Sequence, residues 1–218
     1  MDDLLSEKEQ WEMLKAWVKE NGAWIVAGVA LAALGVYGWQ WWTARQDRIG
    51  MQASDQYEQI LAAFDKGDRT QAMAALGELE REYPHSPYVD QAHLAEARLN
   101  VQSGQLEKAA AGLKGVMEST ADPELALVAR LRLARVQLAL NKADEALATL
   151  NAVKDAGAFA PRFGEARGDI YHAKGDDATA LKEYRAARDG AARGSVDSQL
   201  LDLKINDLAG GPGGERKP

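Results

Sequence analysis

The stretch from Gly22 to Ala44, twenty-three residues, holds no charged side chain, in a chain where 27% of residues are charged. As a helix rising ~1.5 Å per residue it would be ~34 Å long, enough for a bilayer core of ~30 Å. Lipid offers the backbone no hydrogen bonds, so a single crossing has to be helical. Trp24 stands near one end, and Trp39, Trp41 and Trp42 crowd the other, as aromatic rings do at a membrane–water boundary. The run predicts a polar domain tethered at its N-terminal end.

Two other readings compete with an uncleaved anchor. Ala30-Leu31-Ala32 loosely resembles a signal-peptide cleavage site. Such peptides need a short basic leader and an apolar stretch of about 7–15 residues. Here six acids (Asp2, Asp3, Glu7, Glu9, Glu12, Glu20) and three lysines (Lys8, Lys15, Lys19) precede a longer run. A core helix is the second alternative, and the length and aromatic ends speak against it. Three lysines before the run against Arg45 and Arg48 after it give a small bias toward an internal N-terminus.

The chain has 0 cysteines, which excludes disulfides, thiol nucleophiles and thiolate metal sites. Its formal charge of −7 divides into −3 before the run and −4 after it. An acidic domain repels phosphate backbones, so no nucleic-acid partner is expected. Residues 6–20 read as a short amphipathic helix, with Ser6 and Glu9 as a capping box and Trp11, Leu14 and Trp17/Val18 on one face. It suits either an interfacial lead-in to the anchor or a helix against a partner.

Beyond the anchor the sequence repeats. Turn signals stand at Lys66-Gly67-Asp68, Ser103-Gly104-Gln105, Leu140-Asn141-Lys142 and Lys174-Gly175-Asp176, in steps of 37, 37 and 34 residues. Five residues after each Gly or Asn is an alanine (Ala72, Ala109, Ala146, Ala180). Nine after stands Leu76, Leu113, Leu150 or Tyr184, and twelve after stands Leu79, Val116, Val153 or Ala187. These positions share one helical face, where a small residue admits a neighbouring helix and larger ones fill the space beyond. Gly or Asn at the turn supplies the left-handed conformation that ends a helix.

The period and pattern resemble the tetratricopeptide repeat. Gly168, Tyr171, Gly175, Ala180, Tyr184 and Ala187 match it best, and Pro84 falls at a closing-proline position; Ala97 and Ala134 replace the first-helix glycine. The expected fold is all-α: a transmembrane helix, then about four helix pairs (45–65 with 69–82, 88–102 with 105–118, 124–140 with 143–154, 160–173 with 177–190) stacked as a solenoid. A last helix near 195–208 is expected to cap it through Val196, Leu200 and Leu203. The domains read as 1–21, 22–44, 45–208 and a Gly/Pro-rich disordered tail, 209–218.

Catalytic signals are missing. His85, His93 and His172 lack metal-ligand spacing, and Asp176-Asp177 reads as turn and cap chemistry. No enzyme activity, metal or cofactor is expected. Gly28, Ala32 and Gly35 share a face of the anchor and form a candidate packing surface in lipid. Arg98, Asn100, Arg132, Arg135 and Gln137, on first-helix faces, are candidate protein-binding groove residues.

Several stretches in order resemble a family: the ancillary subunits of the bacterial Sec translocon. They are Lys19-Glu20-Asn21-Gly22, Gly38-Trp39, Leu131–Gln137, Arg167-Gly168-Asp169, Lys174-Gly175-Asp176 and Lys204-Ile205-Asn206-Asp207-Leu208. The resemblance implies a single-pass inner-membrane protein with a cytoplasmic N-terminus and periplasmic repeats. It implies association with the SecYEG channel and with a membrane-anchored periplasmic chaperone related to prolyl isomerases. The implied role is handing emerging polypeptides to folding factors. A generic membrane-anchored scaffold for envelope or cytochrome complex assembly is the competing expectation.

Overall fold

The computed structural model describes residues 7–191 and 196–210. Ser6 of the expected capping box, and the tail beyond residue 210, lie outside them. The described residues form nine α-helices and no strand: α1 (Glu7–Asp65), α2 (Arg69–Glu82), α3 (Pro87–Gln102), α4 (Leu106–Ser119), α5 (Pro123–Ala139), α6 (Ala143–Asn151), α7 (Ala160–Ala173), α8 (Asp177–Asp189) and α9 (Ser198–Ala209). A 3-10 turn, Gly157–Phe159, precedes α7.

The sequence suggested separate elements at 6–20, 22–44 and 45–65, and the structure runs them together as the 59-residue α1. The reason is local. No proline occurs before Pro84, and the glycines within α1 keep ordinary negative φ. An isolated helical glycine costs only about 1 kcal/mol and does not stop propagation. Along the uncharged run, large apolar side chains point outward: Trp24 is 80% exposed, Leu31 70% and Trp39 70%. Among the described residues, α1 alone is long and apolar enough to cross a membrane. The chain divides into two compact units after Ser54, within α1, which also runs unbroken through 44–45.

In the second unit the four turns close alike. Gly67, Gly104, Asn141 and Gly175 adopt φ of 76°, 69°, 60° and 78°. At each, the following N–H returns to the carbonyl five residues back: Asp68 to Ala63 (2.9 Å), Gln105 to Asn100 (2.7 Å), Lys142 to Gln137 (2.9 Å) and Asp176 to Tyr171 (2.9 Å). This pattern satisfies carbonyls that a helix end would otherwise leave open. Asp68 and Asp176 then cap the next helix, accepting from the N–H groups of Gln71 (2.9 Å) and Thr179 (3.0 Å).

The repeat positions form the core. Ala72, Ala109, Ala146 and Ala180 are all 0% exposed, and Leu76, Leu113, Leu150, Tyr184, Leu79, Val116 and Ala187 are buried with them. Fully burying a leucine contributes about 1.5–3 kcal/mol, so this register supplies much of the solenoid's cohesion. Val153 departs from the pattern and is only half-buried. Helix α6 ends at Asn151, before reaching it, and the Asp155 carboxylate instead accepts from the Gly157 N–H at 2.8 Å.

Gly168 explains the glycine-or-alanine choice. A Cβ there would lie 2.4 Å from Cε1 of the Tyr184 ring. Leu113 packs in one cluster with Ala97, and Leu150 in another with Ala134. A leucine across the interface leaves space for a methyl group, and a tyrosine ring does not.

The cap differs from expectation. Leu201 and Ile205 face inward, while Leu200 and Leu203 are 43% and 67% exposed. Val196 packs, partly buried, against the α8–α9 cluster. Helix α9 starts at Ser198, with Asp197 as its N-cap, so Val196 precedes the helix and does not share its phase.

Candidate functional site

The first helices of successive pairs, α3, α5 and α7, line two adjoining hollows. One, of about 400 Å³, is bounded by Leu94, Arg98 and Val101 of α3, Leu113 of α4, and Arg132, Arg135 and Val136 of α5. The other, of about 330 Å³, shares Arg132 and Arg135 and continues to Val128, Phe159, Arg162, Glu165 and Asp197. Together they make a groove with an apolar floor and arginine walls. On α3, Leu94, Arg98 and Val101 recur at helical spacing, as do Val128, Arg132 and Arg135 on α5.

Arg98, Arg132 and Arg135 are exposed. Three of the five residues singled out from the sequence therefore line one groove. Asn100 does not. It is 3% exposed, and its Oδ1 accepts from Arg69 Nη2 at 2.6 Å. The α3 face carrying Asn100 is turned toward the preceding repeat, where a polar side chain needs an internal partner. Gln137 lies against α4 and α6, where its Oε1 accepts from the Thr149 hydroxyl at 2.8 Å. Arg162, stacked with its guanidinium carbon 5.9 Å from the Phe159 ring centre, belongs to the groove and was missed. It follows the 3-10 turn, and no repeat register marks it.

Gly28, Ala32 and Gly35 lie along α1, exposed, and among the described residues a Cβ at either glycine would meet nothing within 4 Å beyond the adjoining backbone of the helix itself. Among the histidines, His93 Nε2 meets Glu80 at 2.7 Å and His172 Nδ1 meets Asp177 at 2.6 Å. Among the described residues, no group of three or more His, Asp and Glu is placed to hold a metal ion.

Residues 15–210 match the tetratricopeptide repeat-like domain. Over 204 residues the chain is 33% identical to an ancillary SecYEG translocon subunit of Aggregatibacter actinomycetemcomitans, covering 94% of this chain and 98% of the relative. It is also 33% identical to the protein of that name from Escherichia coli (strain K12), covering 94% and 97%. The chain belongs to the ancillary SecYEG translocon subunit family. Two solved structures share the fold at 16% identity. BtubC of P. vanneervenii superposes with a TM-score of 0.59 over 78% of this chain and 76% of its own. A tetratricopeptide repeat protein of Parabacteroides merdae gives 0.54 over 74% and 61%.

In this member of the family, two stretches that carried the resemblance meet in space. Lys204 of α9 donates to Glu165 (2.8 Å) and Asp169 (2.7 Å) of α7. The Tyr184 hydroxyl donates to the same Asp169 carboxylate at 2.7 Å, and the Lys204 ammonium sits 5.4 Å from the Tyr184 ring centre. Burial, then the Asp169 carboxylate, hold the Tyr184 phenol far above its usual pKa. For Lys204, burial opposes the charged form, but the bonds to Asp169 and Glu165 outweigh it and the pKa is raised. The network ties the cap to the last helix pair, with one ammonium shared between Asp169 and the groove-lining Glu165.

Proposed function

We propose that this protein is a non-catalytic, membrane-anchored scaffold of the Sec translocon. Its N-terminus is cytoplasmic and its repeats are periplasmic. In this reading α1 holds the repeat domain beside the SecYEG channel, with Gly28, Ala32 and Gly35 against a transmembrane neighbour. The groove at Arg98, Arg132 and Arg135 receives a membrane-anchored, prolyl-isomerase-like chaperone or emerging polypeptide. Tethering raises the groove's effective concentration at the channel exit.

The observation that carries the reading is the extent of the similarity: 94% of the chain aligns with relatives of this name. Repeat solenoids supply concave surfaces for other proteins, and the groove provides one. The test is recovery of partners from detergent-solubilised membranes through a C-terminal tag. Channel subunits recovered with a periplasmic chaperone support the proposal. A different envelope assembly, with no channel, would leave an anchored scaffold and remove the translocon role. Deleting residues 22–44 is expected to abolish channel recovery. The chain's 0 cysteines allow a clean orientation test: Glu118→Cys should react with an impermeant maleimide in spheroplasts, and Gln10→Cys should not.

A further inference from the structure

We propose that the arginine groove takes an acidic segment of a partner polypeptide. Its Asp or Glu carboxylates would be held by Arg98, Arg132 and Arg135, and its apolar side chains would enter the hollows between them. The proposal deepens the scaffold reading by naming the partner's chemistry, and it relies on that reading only for which partner supplies the segment.

Charge supports it. The chain has 33 acidic and 26 basic side chains, so a basic side chain at the surface has acidic neighbours in plenty. Several arginines elsewhere use them: Arg167 pairs with Glu183 at 2.9 Å, Arg69 with Glu96 at 3.7 Å, and Arg188 with Asp189 and Asp202 at 3.2 and 3.4 Å, whereas Arg130 donates to the Thr149 carbonyl at 3.1 Å. Arg98, Arg132 and Arg135 have no ion-pair partner among the described residues. The acids bordering the groove are committed elsewhere. Glu165 is held by Lys204, and Asp197 accepts from the Gln199 and Leu200 N–H groups as the cap of α9. The groove is thus a positive strip in a negative protein.

Its shape selects the ligand. Guanidinium groups are planar forks suited to carboxylates, and the apolar floor of Leu94, Val101 and Val128 suits aliphatic side chains set between the charges. Hollows walled by two helices admit a peptide, whereas a bilayer surface needs a flat or convex basic patch.

The test uses the full chain in detergent micelles and three labelled peptides followed by fluorescence anisotropy. One alternates Asp and Glu with Leu. The second replaces the acids by Asn and Gln, and the third by Lys. The acidic peptide is expected to bind at least about tenfold more tightly than the amide peptide, and to weaken with salt. Arg132→Glu with Arg135→Glu should lose the acidic peptide and gain the lysine peptide. Arg132→Lys with Arg135→Lys should keep part of the binding, and unchanged thermal melts would show that both variants fold. Equal binding of acidic and amide peptides, or full binding by the Glu variant, overturns the proposal. So does arginine-dependent binding to phosphatidylglycerol vesicles that excludes the acidic peptide. Channel co-purification reads separately: peptide binding kept while the channel is lost overturns the translocon role and leaves the groove intact.

Discussion

Arg98, Arg135 and Asp169 occupy one register, each six residues before the Gly or Asn of its turn, yet the two ends of the groove treat it differently. In the second and third pairs the position holds an exposed arginine that lines a hollow. In the fourth it holds a carboxylate that accepts from both Tyr184 and Lys204. The backbone position is equivalent, and the neighbour is not. Where another first helix follows, the face stays open. Where α9 follows, the face becomes an interface and its charge is matched internally. A repeat register therefore places a side chain without deciding whether it binds a partner or joins the fold.

Lys204→Ala should break this contrast most severely. It leaves Glu165, 9% exposed, facing Asp169 without a cation, and at this half-buried pair the loss should be about 2–3 kcal/mol, below the fully buried limit because solvent reaches Lys204 and Asp169. A large drop in melting temperature is expected, with α9 exchanging its amide hydrogens first. Arg135→Ala, at the open end, should leave the melt within about 0.5 kcal/mol of the parent. Comparable losses for both would dissolve the distinction.

Gly168→Ala comes next. Overpacking against Tyr184 should cost about 1–3 kcal/mol, and adding Tyr184→Leu should recover part of it by imitating the Ala134–Leu150 cluster. That rescue is itself incomplete, because the tyrosine hydroxyl's bond to Asp169 goes with the ring. If Gly168→Ala alone melts like the parent, the steric account of the glycine fails. Smaller still, Gly175→Ala, at φ 78°, should cost about 1 kcal/mol from left-handed strain.

The pH dependence sharpens the same difference. Lys204 has a folded pKa above its unfolded value of 10.5. Its stabilisation is therefore fully present below that value and is lost as pH rises through the folded pKa. Alkaline unfolding should begin at the cap above about pH 10, because the Tyr184 phenol is also held above its usual value, and Lys204→Met should make that limb shallower without abolishing it. An unchanged alkaline limb would place the transition elsewhere.

Much of this was legible in the residues because it is local. The uncharged run, the turns at Gly67, Gly104, Asn141 and Gly175, and the alanine–leucine stripes follow from solvation, φ preference and helical period. These act within a few residues, and the family resemblance carried by short ordered motifs points to the same architecture. The continuity of α1 is also local: the expected segments were delimited by charge, and a change from charged to uncharged side chains does not interrupt a helical backbone. The groove was half legible. Arg98, Arg132 and Arg135 lie on an open first-helix face, while Asn100 turns inward toward Arg69. Helical period fixes the angle between side chains, not which side a neighbouring repeat will cover.

The sequence alone determined a chain with one apolar helix and a helical repeat whose small residues set its packing register. Tertiary structure alone decided that Leu201 and Ile205 would be the inward face of the cap. It also brought Lys204 to Asp169, 35 residues away, and left three arginines facing solvent in an acidic protein. Those outcomes depend on which surfaces meet, and charge pairing across helices far apart in the chain has no period for a sequence to display.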